Sequence, residues 1–104
     1  MNEVMDRVKT IGERLKKEYN AEKVILFGSY ARSEATEDSD VDIFIIAPTQ
    51  ECFYERMATV RRLTRDLCYK FPFEPIVLTR EETDQRLQIG DQFVSQIIEE
   101  GIYL

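Results

Sequence analysis

"ILFGSYARSEATEDSDVDIFIIAP", Ile25–Pro48, ends one apolar run in Gly28-Ser29 and opens the next on Asp40-Val41-Asp42. Burial alone selects none of these polar and small residues. The first run, "KVILFGS", is short, carries β-branched Val24 and Ile25, and stops at Gly28, the pattern of a buried strand. The second, "VDIFIIAP", has β-branched or aromatic side chains at nearly every position before Pro48, which predicts a central strand covered on both faces. Between them "YARSEA" holds enough helix formers for a short helix, followed by the polar turn "TEDS".

Outward from this stretch the periodicity alternates between helix and strand. Val4, Val8, Ile11, Leu15 and Tyr19 give a helix from Asn2 to Asn20 one buried stripe. After Pro48, Thr49 is placed to cap a helix whose apolar positions are Phe53, Met57, Val60, Leu63 and Leu67. "FPFEPIVLT" reads as a third strand, and Pro75, which donates no ladder hydrogen bond, puts it at an edge or near its own start. Thr79 and Glu82 have the spacing of a capping box opening a helix over "REETDQRLQ". A last helix presents Phe93, Val94, Ile97 and Ile98, stops at Gly101, and leaves "IYL" as a tail or edge strand. The order α-β-α-β-α-β-α-α describes one α/β domain over residues 1–104 with one sheet between helical layers.

Composition narrows the function classes. No run approaches the roughly 18 to 20 apolar residues that span a bilayer, and "MNEVMDRVKTIGERL" lacks the apolar core of a secretory signal, so a cytoplasmic protein is expected. A net charge of −6 argues against duplex nucleic acid as a partner, because such proteins cluster positive charge. Cys52 and Cys68, sixteen positions apart in one expected helical segment, would stand about 24 Å apart, too far for a disulfide, and read as reduced core thiols. With no His and no Cys-x-x-Cys pair, zinc is not expected. Arg56, Arg61, Arg62 and Arg65 read as a solvated helix face, and Tyr54 and Tyr69 as packing residues.

Asp40 and Asp42 lie two apart at the head of the expected central strand, so their carboxylates face the same side and repel. Proton uptake or a cation relieves that repulsion, and hard oxygen ligands suit Mg²⁺ or Mn²⁺. Glu74 would join them if its strand lies beside the central one. Gly28 and Ser29, at a strand-to-helix junction, offer backbone N–H groups, a positive dipole end and a hydroxyl to a phosphate, with Arg32 one turn on. Without the Gly-Ser pair the acidic residues would read as a polar turn; facing it, they form a candidate site for metal-assisted phosphoryl or nucleotidyl transfer.

"GSYARSEATEDSDVDIFII" resembles the Gly-Ser and Asp-x-Asp signature of the polymerase-β-like nucleotidyltransferases, in particular the minimal nucleotidyltransferases often encoded beside HEPN-domain proteins. "FEPIVLTREE" is similar to that family's third-carboxylate strand and following helix, and "IIEEGIYL" to its C-terminal end. The resemblance implies a nucleotidyltransferase fold with a small mixed sheet in the order 1-2-3 flanked by helices. It implies ATP or another nucleoside triphosphate as substrate, two Mg²⁺ ions, Asp40, Asp42 and Glu74 as metal and catalytic residues, and Gly28, Ser29 and Arg32 as nucleotide-binding ones. It further implies an acceptor hydroxyl on a partner such as a HEPN-domain toxin, with this chain as antitoxin and acceptor recognition supplied by the partner. The sequence departs from the pattern at Glu74-Pro75, where Asp is usual, and at Ser33, where Gly is common. The first departure leaves room for a non-catalytic antitoxin or regulatory subunit that works by docking.

Overall fold

Three strands carry most of the fully buried β-branched and aromatic side chains, and the helices are arranged to cover them. The computed structural model describes residues 3–69 and 71–104; Asn2, where the expected first helix begins, lies outside them. The elements run α1 (Glu3–Glu18), β1 (Lys23–Phe27), β2 (Val41–Ile46), α2 (Phe53–Thr64), β3 (Phe73–Leu78), α3 (Arg80–Gln88), α4 (Gln92–Glu100) and β4 (Ile102–Tyr103). The sheet order is β3-β2-β1-β4. β1 runs antiparallel to both β2 and β4, and β2 runs parallel to β3, so the sheet is mixed with the expected 1-2-3 core. β3 is an edge strand, one of the two placements that Pro75 allows.

Alternation along the strands sorts the core into two layers. Val24, Leu26, Val41, Ile43, Ile45 and Val77 meet Val8, Ile11 and Leu15 of α1 and Val60 of α2. Ile25, Phe44, Ile46 and Leu78 meet Val94 and Ile97 of α4 on the other face. β2 is thus covered on both sides, which explains its unbroken apolar run. Gly101 ends α4 in extended backbone, not a left-handed turn. Its missing side chain is needed for space, since a Cβ there would strike Ile25 Cγ2 and stand 2.6 Å from the Ile97 carbonyl oxygen.

Several expectations are corrected. "YARSEA" forms no helix: Arg32 N–H donates to the Gly28 carbonyl at 3.2 Å, and the single turn is broken by Ser33 at φ 59°. α2 starts at Phe53 with Cys52, not Thr49, at its N-cap; Thr49 Oγ1 instead accepts from the Glu51 N–H at 3.0 Å. Its buried stripe is Arg56, Val60 and Thr64. Phe53 stands 46% exposed, while Arg56, expected on the solvated face, is only 8% exposed. Cys52 is exposed, and Cys68 lies beyond the helix, half-buried, with burial raising its thiol above the usual range. Tyr54 is exposed, and Tyr69 lies under the Arg7 guanidinium at 4.6 Å with its hydroxyl accepting from Arg7 Nη2 at 3.0 Å.

The capping box over α3 is present in full and reaches further than a cap. Thr79 Oγ1 accepts from Glu82 N–H at 3.1 Å, and Glu82 Oε1 accepts from Thr79 N–H at 2.9 Å. The same carboxylate takes Arg56 Nη1 at 2.6 Å and Nη2 at 3.0 Å, while Arg56 also donates to the carbonyls of Glu51 and Val77. One guanidinium therefore joins α2, β3 and α3. The Arg56 bond holds the Glu82 carboxyl down to about 2 from its ordinary 4.5. Because the folded value is lowered, this stability is present above pH 4.5 and is lost as pH falls toward 2. Glu82→Ala should cost about 2 to 3 kcal/mol, between an exposed ion pair and a fully buried one. Urea unfolding at pH 7 and pH 2.5 checks this: the difference between parent and variant should shrink at the lower pH.

Candidate active site

The strand registers bring the predicted residues into one row. Phe27 at the end of β1 pairs with Asp42 of β2, and Asp42 pairs with Glu74 of β3. Neighbours in register project to the same side of a sheet, here the side covered by α4. Asp40 precedes β2, exposed, and its charge reaches Asp42. All three carboxylates therefore lie at one end of the sheet.

Gly28 meets this row from the β1 side. It adopts φ 78°, which favours glycine, and a Cβ there would collide with Asp42 Oδ2. The Gly-Ser turn is thus packed directly on the carboxylate. Ser29 supplies its carbonyl to the Glu34 N–H at 2.8 Å and has no following helix to cap, so the expected dipole contribution to phosphate binding is absent. Backbone N–H groups, the Ser29 hydroxyl and the Arg32 guanidinium remain as anion-binding elements. Arg32 lies in this turn with Nε 3.0 Å from Glu34 Oε1.

Asp42 carries the electrostatic tension of the site. Burial raises its carboxyl above the ordinary value of 3.8, the charges of Asp40 and Glu74 raise it further, and Arg32 opposes them. Glu74 has a cation of its own: Arg61 Nη2 stands 3.7 Å from Glu74 Oε1, while Arg61 Nη1 donates to the Phe73 carbonyl at 2.8 Å. Arg61, expected on a solvated helix face, is brought here by the packing of α2 on β3. Among the described residues no three acidic, His or Cys side chains are gathered tightly enough to hold a metal ion as they stand. The donors are nonetheless all carboxylate oxygens under mutual repulsion, which suits a hard divalent cation, and Glu74 would exchange Arg61 for it.

A cavity of about 200 Å³ opens beside the turn, between Gly28, Ala31 and Arg32 on one side and Phe93, Gln96 and Glu100 of α4 on the other. Phe27 and Phe93 meet edge-to-face there, 5.6 Å between centroids. Phe93, expected on the apolar face of the last helix, is 53% exposed.

The raised Asp42 group implies a pH signature. Its contribution to stability is fully present below pH 3.8 and is lost as pH rises through the higher folded value. Asp42→Asn should therefore raise the thermal midpoint of the metal-free protein at pH 7 by a small amount. The gain should vanish below pH 3.8, as scanning calorimetry across that range would register.

Comparison with known proteins bears on the family and the fold. Residues 8–104 match the family described as nucleotidyltransferase domain. Two proteins of Methanocaldococcus jannaschii, each provisionally named a protein adenylyltransferase, align locally. One is 40% identical over 45 residues, 43% of this chain and 46% of that protein; the other is 49% identical over 41 residues, 38% of this chain and 41% of that protein. The chain spans about half the length of the curated relatives it matches. A solved structure provisionally described as a minimal nucleotidyltransferase superposes with a TM-score of 0.65 at 22% identity, over 100% of this chain and 97% of that one, a likeness of fold. The match over residues 8–104 shows that this chain belongs to the nucleotidyltransferase domain family.

Proposed function

We propose that this chain transfers a nucleoside monophosphate from a nucleoside triphosphate, ATP in the first instance, to a hydroxyl of a partner protein, with Mg²⁺ as the metal. The observation that carries the reading is the packing of Gly28 on the Asp42 carboxylate, in register with Glu74. It puts a turn suited to phosphate against anions suited to metal, in a chain of this family. The provisional name of the relatives supports a protein as acceptor, and the resemblance to minimal nucleotidyltransferases encoded beside HEPN-domain proteins supports a HEPN toxin as that protein.

Asp40 and Asp42 would hold the divalent ions, with Glu74 as third ligand, and Gly28, Ser29 and Arg32 would hold the phosphates. Held by these carboxylates, a divalent ion would supply positive charge to the triphosphate. The acceptor oxygen bonds to the α-phosphorus as the bond from that phosphorus to the α–β bridging oxygen breaks, and pyrophosphate leaves with the electron pair. Glu74 takes the acceptor proton. Asp42, crowded by the charges of Asp40 and Glu74, is the carboxylate whose repulsion a bound cation would relieve most.

The Arg61–Glu74 pair favours a second reading, in which Glu74 stays neutralised and the chain acts by docking alone. Glu74→Gln separates the two. It should bind Mg²⁺-ATP nearly as the parent does, yet transfer label from α-phosphate-labelled ATP to the partner about a hundredfold more slowly, the scale of a lost general base. A parent that labels no partner, with parent and variant neutralising it equally, would leave docking as the function.

A further inference from the structure

Resting on that nucleotide reading, we infer that the cavity between the Gly28 turn and α4 is the nucleobase site and that it selects adenine. Gly28 and Arg32 line both this cavity and the carboxylate end of the sheet, so a single nucleotide can reach from one to the other. The walls supply what a base requires. Phe93 is held edge-to-face by Phe27 yet remains half exposed, leaving ring surface on which a base can stack. Ala31 keeps the opposite wall small.

The rim supplies hydrogen bonds of one polarity pattern. Gln96 Nε2 donates to Glu100 Oε1 at 3.3 Å, which orients the amide and leaves its second N–H and its carbonyl oxygen for a ligand. One donor beside one acceptor complements the N6 amino group and N7 of adenine. Guanine offers two acceptors at the same edge and would leave the Gln96 carbonyl oxygen facing another oxygen. Pyrimidines have only a single ring to lay on Phe93 and so gain less stacking. The site therefore ranks ATP first.

Titration calorimetry with Mg²⁺ and, in turn, ATP, GTP, CTP, UTP and inorganic tripolyphosphate tests this on the full chain. ATP should bind about tenfold or more tighter than GTP, the scale of one matched bidentate contact. Phe93→Ala should weaken ATP about tenfold and leave tripolyphosphate unchanged, and Phe93→Trp, which keeps a stacking surface, should restore ATP binding. Gln96→Leu should bring ATP and GTP together. Tripolyphosphate binding accompanied by equal affinity for all four nucleotides, or an unchanged ATP affinity in a folded Phe93→Ala, would overturn the base site and leave the proposed transferase standing. Binding of neither nucleotide nor tripolyphosphate by the parent would remove both.

Discussion

Asp42 is a carboxylate drawn half out of water by a strand that otherwise carries only core residues, and the chain around it accommodates that cost. Val41 and Ile43 lock β2 into the layer beneath α1 and α2, and Phe44 locks it into the layer beneath α4. The alternation of the strand then leaves Asp42 no freedom to turn away. Gly28 lies against it because any side chain would collide, and Glu74 lies next to it because β3 pairs in parallel register. The candidate chemistry follows from a packing constraint: two apolar layers fix Asp42 beside Glu74, with Gly28 against the first.

The two ion networks near β3 differ in what holds them. Arg56 is buried, paired with Glu82 through two nitrogens and bonded to two carbonyls, so its geometry is determined by the fold. Arg61 is about half exposed, with one backbone bond and a long contact to Glu74. Exposed pairs of that length contribute little and yield to a competing charge. One arginine of α2 thus keeps the layers together while its neighbour five positions on is left exchangeable beside the site.

What could be read from the sequence is what local rules determine. The Thr79–Glu82 box fixed α3 at Arg80–Gln88 because its bonds span three residues, and the Gly-Ser and Asp-x-Asp spacing pointed to one end of the sheet because strand alternation is local too. Misreadings arose where distant partners decided. Arg56 looks like a surface charge until Glu82, twenty-six positions away, supplies its counter-ion. Phe93 fits an apolar stripe, but Phe27 meets it at the rim of a cavity instead of in the core. "YARSEA" has helical propensity, but Ser33 turns left-handed and ends it after one turn.

Pro75 sits on β3 one residue beyond Glu74, at the open edge of the sheet. A bare edge strand offers its amide hydrogens as a template on which another chain can lay a further strand, the route to edge-to-edge aggregation. Proline offers none, and the interruption falls beside the residue that faces Asp42. Any protein that approaches Glu74 is therefore steered away from β-augmentation and toward contact through side chains, an arrangement that protects the edge while keeping the carboxylate reachable.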